Sequence, residues 1–341
     1  MKYSLHIMIT PILILVSWIY GLIIKIRNKL YDLHYIKSHS FNKPIISIGN
    51  ITAGGTGKTP LVIYIATLII NQGKKPGIIS RGYGRKSKGK IIVHDGKKML
   101  VDVNMAGDEP FLIGKKLNNV PIIVSKNRYE GIKKLINNYF VDVIIMDDGF
   151  QHRSIKRDLN VLTISGKESL KNYKLLPWGK MRESLSNINR SNLIVYTKTN
   201  LTPRIHETIK KFYSKNYILS NYQLQLYNYN LNQYNQNIAE PVFAFCGIAD
   251  HNSFFESITQ LGIIIKGKKH YRDHQNYSDR IIRNLFEKIK KLKLNTIITT
   301  EKDLVKLPKF FINTFQIYVL QLSIIIKDKS IINKEIKKLL R

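Results

Sequence analysis

The segment from Pro44 to Pro60 holds the residue types that bind phosphate. It reads as a short apolar strand, a glycine-rich loop and the start of an apolar helix. Backbone N–H groups of such a loop can point into one concavity, and the helix start adds its positive dipole end. Lys58 supplies a full positive charge, and Thr59 offers a hydroxyl to Mg²⁺. The predicted nucleotide-binding residues are Thr52, Ala53, Gly54, Gly55, Thr56, Gly57, Lys58 and Thr59.

Two features of this loop bear on that interpretation. The strict phosphate-loop pattern has a glycine five residues before Gly57, where this chain has Thr52. A glycine-rich turn between a strand and a helix can also simply connect the two elements without binding a ligand. The Gly57-Lys58-Thr59 ending and the apolar strand before the loop favour the phosphate site.

A pair of aspartates ends a second apolar run. Residues 141–147 finish in Asp147, and Asp148, Gly149, Phe150, Gln151 and His152 follow directly. A carboxylate at the end of a buried strand is the expected second anchor for Mg²⁺ in a chain that has a phosphate-binding loop. Either carboxylate alone could cap the next turn, but capping explains the whole group poorly.

Two further segments carry charged side chains beside predicted elements. Asp108 and Glu109 precede an apolar helical run, where an acid can serve in chemistry or simply cap the helix, and the sequence leaves both open. Arg81 and Arg85 follow the apolar run 76–80, and their guanidinium groups suit bidentate contacts with phosphate or carboxylate.

The elements that must position these residues are short apolar runs alternating with helical stretches between Lys43 and Tyr196. Runs of this length, bounded by Gly, Pro and Asp, indicate βα units around a mostly parallel sheet. Ligands of such sheets lie beyond the carboxyl ends of the strands. The predicted strands are 45–48, 76–80, 121–125, 141–147, 159–164, 193–198, 242–246, 296–299 and 317–322.

Composition divides this predicted α/β chain into four segments. Residues 1–30 form an N-terminal membrane-anchoring helix, and residues 31–221 form a domain with a P-loop NTPase-like α/β/α core. Residues 222–239, rich in Asn, Gln and Tyr, are predicted linker strands. Residues 240–341 form a second, smaller α/β domain, with predicted helices at 278–292 and 328–340.

The N-terminal anchor rests on an almost wholly apolar stretch, residues 5–24. Twenty helical residues reach about 30 Å, the thickness of a bilayer core. The stretch is long for a secretory signal and lacks a small-residue cleavage site. Lys25, Arg27 and Lys29 follow it, which places the bulk of the protein in the cytoplasm by the positive-inside rule. The alternative is an amphipathic or hairpin segment lying in one leaflet.

Charge and cysteine content narrow the class of protein. The formal net charge is +32, which alone suggests nucleic acid or an anionic membrane surface as a partner. A sequence rich in Lys, Asn, Ile and Tyr throughout accounts for the charge equally well. No helix-turn-helix, RRM-like aromatic pair or zinc finger is present, so no nucleic-acid partner is predicted. The single cysteine, Cys246, excludes an intramolecular disulfide and favours a reducing compartment.

Taken together, these segments closely resemble the tetraacyldisaccharide 4'-kinases of lipid A biosynthesis, in order and over nearly the whole chain. The Asp-Asp-Gly-Phe-Gln-His block combined with the unusual phosphate loop is the most specific part. The shared motifs are the N-terminal apolar anchor, Gly49-Asn50 with Thr52–Pro60, Ser80–Arg85, Gly107–Pro110, Asp147–Arg153, Leu176-Pro177 with Arg182-Glu183, Gly247–Ala249, Asp273-His274 and Thr300–Asp303.

The resemblance implies phosphoryl transfer from ATP to the 4'-hydroxyl of a tetraacyl glucosamine disaccharide 1-phosphate, giving lipid IVA. The reaction would take place at the cytoplasmic face of the inner membrane, and we expect a monomer. By the same resemblance, Asp108 would accept the hydroxyl proton and His274 would position or tune it, while Thr59 and Asp147 would hold Mg²⁺. The implied supporting residues are Asp148, Gln151, His152, Arg81 and Glu183.

Two other functional classes make different predictions. A membrane-associated P-loop GTPase or metallochaperone would need a base-reading Asn-Lys-x-Asp motif at a strand end. The nearest approach is residues 197–200, which lack the aspartate. A non-enzymatic nucleic-acid binder driven by charge would show steeply salt-dependent DNA binding that does not need Lys58.

Overall fold

The structure is a computed structural model. Residues 235–237 of the predicted linker and Asn200 of the nearest base-reading match lie outside the residues that it describes, and side chains are described from Thr10 onward. The described residues are 2–168, 172–199, 209, 211–213, 217–234 and 238–340.

Strands and helices alternate along the chain. The strands are β1 Ile45–Asn50, β2 Pro76–Ser80, β3 Ile91–Asp95, β4 Pro121–Val124, β5 Val143–Asp147, β6 Leu159–Ser165, β7 Leu193–Thr197, β8 Tyr217–Asn228, β9 Gln233–Tyr234, β10 Val242–Cys246, β11 Ile265–His270, β12 Thr296–Thr300 and β13 Gln316–Ile326. The helices are α1 Lys2–Asp32, α2 Lys58–Asn71, α3 Val103–Ala106, α4 Asp108–Lys116, α5 Arg128–Asn138, α6 His251–Gln260, α7 Asp279–Lys291, α8 Glu301–Leu304, α9 Lys309–Thr314 and α10 Ser330–Leu340, and a short 3-10 helix covers Leu185–Arg190.

All strands of the described part of the chain belong to one sheet, in the order β11-β10-β12-β13-β8-β7-β6-β1-β5-β2-β4-β3, with β9 beside β8. β1 lies between β5 and β6 and is parallel to both. Every residue of β1 and β5 is buried, as expected for parallel strands covered on both faces. The carboxyl ends of β1 and β5 therefore meet at one edge, and the α/β fold class predicted from the sequence is confirmed.

The long strand β8 joins the two halves of the sheet. Its first residues pair in parallel with β7, and residues Ser220–Asn228 pair antiparallel with β13. Residues 222–228 of the predicted linker are thus part of a continuous strand. The division into domains at 31–221 and 240–341 stays a prediction, and β8 crosses it without a break in the sheet.

One apolar core also crosses the predicted boundary. Leu61 and Ile65 of α2 belong to the same buried cluster as Ile332 and Ile336 of α10. Apolar residues of the C-terminal part of β13 complete this cluster. The helix that follows the phosphate loop is therefore packed partly by residues near the C-terminal end of the described chain.

The helix α1 packs one side against the segment between β6 and β7. The Ser17 hydroxyl donates to the Leu175 carbonyl at 2.8 Å, and the Tyr20 hydroxyl donates to the Arg182 carbonyl at 2.7 Å. The opposite side is apolar and exposed, with Trp18 the most exposed of its large side chains at 67%. Among the described helices, Thr10–Asp32 alone is long and apolar enough to cross a membrane, judged by length and composition.

Candidate active site

The phosphate loop connects the carboxyl end of β1 to α2. Gly57 precedes α2 with φ +85°, and a side chain there would collide with the Tyr222 hydroxyl of β8. Gly54 also has positive φ, at +118°, and has open space around it. Glycine at these positions lets the backbone reach a conformation that other residues rarely adopt. The residue before α2, Gly57, has no side chain that could cap the helix, so its first N–H groups are available to an anion.

Hydrogen bonds fix the shape of the loop from several directions. The Asn50 side-chain amide donates to the Thr52 carbonyl at 2.6 Å, and the Ala53 N–H donates to the Lys180 carbonyl at 2.7 Å. The buried Thr56 hydroxyl lies 2.8 Å from that of Thr163. Thr52, predicted to bind the nucleotide although it departs from the strict pattern, is buried, and its carbonyl serves as one of these anchors. Groups of the chain itself therefore fix the shape of the loop.

Lys58 lies beside Asp148 and Arg182. Its Nζ is 3.5 Å from Asp148 Oδ1, while Arg182 Nη1 lies 3.1 and 3.2 Å from the two carboxylate oxygens. Burial opposes ionisation of Asp148, but Lys58 and Arg182 together hold the pKa of this carboxyl below its ordinary value. Asp148 thus stays charged and orients Lys58 and Arg182 beside the phosphate loop.

Asp147, at the end of β5, has a different environment. The Ser80 hydroxyl donates to its Oδ2 at 2.8 Å, but Oδ1 is buried and has no hydrogen-bond partner among the described residues. Burial raises the pKa of Asp147 to about 6, and the charges of Glu109 and Asp148 act in the same direction. An unpaired buried carboxylate oxygen is costly, and a hard divalent cation would relieve that cost. Asp147 and the buried hydroxyl-bearing Thr59 therefore fit Mg²⁺.

Glu183 is fully buried and receives three hydrogen bonds. The donors are Arg190 Nη2 at 2.5 Å, Gln151 Nε2 at 2.9 Å and Asn28 Nδ2 at 3.1 Å. Gln151 also donates to the Asn50 carbonyl at 2.8 Å. Glu183 therefore ties α1 to the residues that follow β5 and to the start of the phosphate loop.

Two predicted supporting residues lie differently from the rest. His152 Nε2 is 3.0 Å from the Ser154 hydroxyl, and burial, reinforced by Arg128 and Arg157, lowers the pKa of His152 to about 4. Its imidazole is thus neutral at pH 7. Arg81 is exposed after β2 and has no ion-pair partner among the described residues.

Asp108 is the first residue of α4. Residues from 240–341, called the second unit below, contact it. His274 Nδ1 lies 3.0 Å from Asp108 Oδ2, and Lys306 Nζ lies 2.8 Å from the same oxygen. Burial opposes ionisation, but these two partners hold the pKa of Asp108 below its ordinary value. The His274 ring also lies 5.1 Å from the Tyr83 ring. The structure therefore brings together the two residues that were predicted to act as a pair.

The neighbouring Glu109 makes a second ion pair across the two units. Lys302 Nζ lies 2.6 Å from its Oε1. The Lys302 charge, aided by Lys58 and opposed by burial, lowers the pKa of Glu109 to about 2. Glu109 therefore remains ionised. It lies between Lys58 of the phosphate loop and the group formed by Asp108, His274 and Lys306.

Several residues at the site were missed by sequence reasoning. Arg128 is 2% exposed, and its guanidinium donates to the carbonyls of Ser125 at 2.5 Å and Asp147 at 3.2 Å. An arginine that begins a helix directly after an apolar strand was the available signal. Lys306 follows the Thr300–Asp303 motif by three residues, which was a weaker one. Asn28 and Arg190 gave no local signal.

Comparisons with known proteins agree on one family. The model of the family described as "Tetraacyldisaccharide-1-P 4'-kinase" matches residues 9–341. A protein of Desulfotalea psychrophila named "Tetraacyldisaccharide 4'-kinase" is 35% identical over 304 residues, which cover 86% of this chain and 87% of that protein. A protein of the same name from Aquifex aeolicus is 36% identical over 294 residues, covering 85% and 88%.

A solved structure extends this similarity to three dimensions. The structure of LpxK from Aquifex aeolicus in complex with ATP superimposes with a TM-score of 0.77 at 32% sequence identity. The alignment covers 99% of this chain and all of the Aquifex chain. By family model, sequence identity and fold, this chain belongs to the tetraacyldisaccharide-1-P 4'-kinase family.

Proposed function

We propose that this chain is an ATP-dependent tetraacyldisaccharide 4'-kinase of lipid A biosynthesis. Its acceptor would be the 4'-hydroxyl of the tetraacyl glucosamine disaccharide 1-phosphate, and the product lipid IVA. The observation that carries the proposal is the placement of Asp108, bound by His274, at the start of α4 in a chain whose phosphate loop presents Lys58. A base and a phosphate-binding loop are the two protein components that phosphoryl transfer to an alcohol needs.

In the proposed reaction, the loop N–H groups and Lys58 bind the ATP phosphates and offset the charge on the transferring group. The 4'-oxygen forms a bond to the γ-phosphorus, the bond from that phosphorus to the ADP oxygen breaks, and the hydroxyl proton passes to Asp108. His274 holds Asp108 through Nδ1. Thr59 and Asp147 would hold Mg²⁺, which would supply positive charge that offsets the charge developing on the transferred phosphoryl group.

We also propose that α1 attaches the enzyme to the cytoplasmic face of the inner membrane. Contacts from Ser17 to Asn28 fix that part of the helix to the rest of the protein. The preceding residues, 2–16, would reach only about 22 Å as a helix, less than the roughly 30 Å of a bilayer core. An interfacial position, with the exposed side of α1 in one leaflet, suits these contacts better than a span.

The basic residues after the apolar stretch support the cytoplasmic side, because such residues favour that face of a membrane. Lys58, Asp147, Asp108 and His274 all come from one chain, which suits a monomeric enzyme.

The decisive experiment is transfer of labelled γ-phosphate from ATP to a defined tetraacyl disaccharide 1-phosphate, with and without Mg²⁺. We expect labelling by the wild type only with Mg²⁺, and none by Lys58→Met. The matched control is Lys97→Met, which removes an exposed lysine far along the chain from the loop. Undiminished labelling by Lys58→Met would contradict the assignment of the loop, and no labelling by the wild type would contradict the proposed reaction.

The membrane proposal has a separate test. Leu15→Asp combined with Ile23→Asp changes two exposed residues of α1, and we expect it to release the protein from anionic vesicles. A thiol-reactive probe on the side of the vesicle membrane opposite the rest of the protein should fail to label a Ser4→Cys variant. Labelling from that side would show that the helix crosses the membrane.

A further inference from the structure

Lys306 lies within the cluster around Asp108 and has no role in the reaction described above. Its Nζ is 2.8 Å from Asp108 Oδ2, and its side chain is only 5% exposed. The ammonium group also donates to the Gln275 carbonyl at 3.1 Å, next to His274 in sequence. A lysine this buried is uncommon unless paired, so its position is set by the carboxylate it contacts.

The two partners of Asp108 are distributed unevenly over its carboxylate. His274 Nδ1 and Lys306 Nζ both contact Oδ2, at 3.0 and 2.8 Å. Within the described part of the chain, no hydrogen bond or ion pair reaches Oδ1. The carboxylate is therefore held on one side and has one oxygen left for another ligand.

We propose that Lys306 is a positioning residue for the phosphoryl acceptor: together with His274 it fixes Oδ2, so that Oδ1 of Asp108 faces the acceptor hydroxyl. The inference rests on the proposed function and deepens it. A single partner on Oδ2 would leave the carboxylate free to rotate and to offer either oxygen. Two partners on Oδ2 restrict that rotation more than one partner does.

The contacts with Lys306 and His274 lower the basicity of the Asp108 carboxylate but fix its orientation. A cation beside a carboxylate favours the ionised form and weakens its affinity for a proton. Holding the accepting oxygen in a reactive orientation is worth more, since a misplacement of about 1 Å can cost about 10²-fold in rate. The charged groups around Asp108 are Glu109 on its own helix, and His274, Lys302 and Lys306 from the second unit.

A purely structural role for Lys306 is the competing explanation, because its ion pair also joins α4 to the second unit. The chain offers a matched ion pair for comparison. Lys116 Nζ, at the other end of α4, lies 2.5 Å from Glu301 Oε1 of α8. That pair joins the same two parts of the chain without touching Asp108.

The experiment compares Lys306→Met, Lys306→Arg and Lys116→Met in the full chain. The readouts are ATP affinity, kcat and the KM for the disaccharide lipid, each from pH 3 to 9. For Lys306→Met we expect kcat to fall about 10²-fold with ATP affinity unchanged. We expect the acidic limb of the kcat profile to move to higher pH, because one of the cations that lower the pKa of Asp108 is lost.

The controls separate positioning from folding. Lys306→Arg retains the charge, so it should restore the wild-type acidic limb and most of the rate. Lys116→Met should leave both within twofold. The inference is wrong if Lys306→Met keeps kcat within threefold, if its acidic limb does not move, or if Lys116→Met reproduces its behaviour. An inactive wild type would instead reject the proposed function itself.

Discussion

The two halves of the candidate site are built in different ways. The phosphate half consists of the loop after β1, Lys58 at the start of α2, and Asp147 and Asp148 after β5. β1 and β5 are neighbours in the sheet, so their carboxyl ends bring these residues together. The acceptor half joins Asp108 on α4 to His274 and Lys306, which follow it by more than 160 residues.

This difference teaches which contacts each half depends on. Parallel pairing of β1 with β5 sets the phosphate half. Packing of the second unit against α4 sets the acceptor half, where Glu109 and Lys302 add a further ion pair. The halves should therefore fail separately when mutated, and four predictions test that separation.

The largest effect is expected in the acceptor half. Asp108→Asn keeps the shape of the side chain but cannot accept a proton, so kcat should fall by about 10² to 10⁴-fold. ATP affinity, measured by calorimetry, should stay within twofold of the wild type. The control Asp279→Asn, at the exposed start of α7, should change neither quantity. A parallel loss of ATP affinity would show that the halves are not separate.

The next effect concerns the framework of the phosphate half. Glu183→Gln leaves Arg190 without its buried counter-charge. Removing one partner of a buried ion pair typically costs about 3–5 kcal/mol, and we expect that loss in the free energy of unfolding from urea titration. The matched change Glu256→Gln, in an exposed pair with Lys167, should cost less than about 1 kcal/mol. Equal costs would contradict the framework role of Glu183.

A smaller effect separates two glycines of the loop. Gly57→Ala forces a positive φ on a residue with a side chain and places a methyl group against Tyr222. The expected loss in the free energy of unfolding is about 1–3 kcal/mol. Gly55→Ala meets open space and should leave the stability of the nucleotide-free protein unchanged. If Gly55→Ala nevertheless weakens ATP binding, close approach of phosphate to this loop is supported.

The last prediction distinguishes the two adjacent aspartates by the sign of the change in the free energy of unfolding. The pKa of Asp147, about 6, lies above its ordinary value, so its ionisation costs stability above pH 6 and the cost disappears below about pH 4. Asp147→Asn should raise the free energy of unfolding by about 3 kcal/mol at pH 8, with no gain at pH 4. Asp148 has a lowered pKa, so Asp148→Asn should destabilise at pH 8. Mg²⁺-dependent turnover should fall for Asp147→Asn.

The sequence signals for the phosphate half are local. At β1, the signal is a contiguous segment of apolar residues, a glycine-rich loop and Lys58. At β5, it is again a contiguous segment, in which two aspartates follow an apolar run. The fold class followed from the same alternation. In contrast, the lysine-rich strand β11 was missed because it lies at the edge of the sheet, where few of its side chains are buried.

The rest of the site depends on contacts that local patterns do not contain. Asp108 by itself was equally compatible with a helix cap, and its pairing with His274 came only from family resemblance. Lys306 and Asn28 were not predicted, because a lysine in a lysine-rich chain and an asparagine in a helix carry no distinguishing pattern. Likewise, the alternating residues around 222–228 predicted linker strands, but no local pattern predicted their pairing with β13 as part of β8.

The shared core of α2 and α10 has a consequence for biosynthesis. Ribosomes make proteins from the N-terminus, so α2 emerges long before Ile332 and Ile336 exist to cover it. During that interval, apolar surface beside the phosphate loop has no permanent cover and is open to chaperones or to wrong partners. The site around the phosphate loop should therefore reach its final packing only after translation has passed α10.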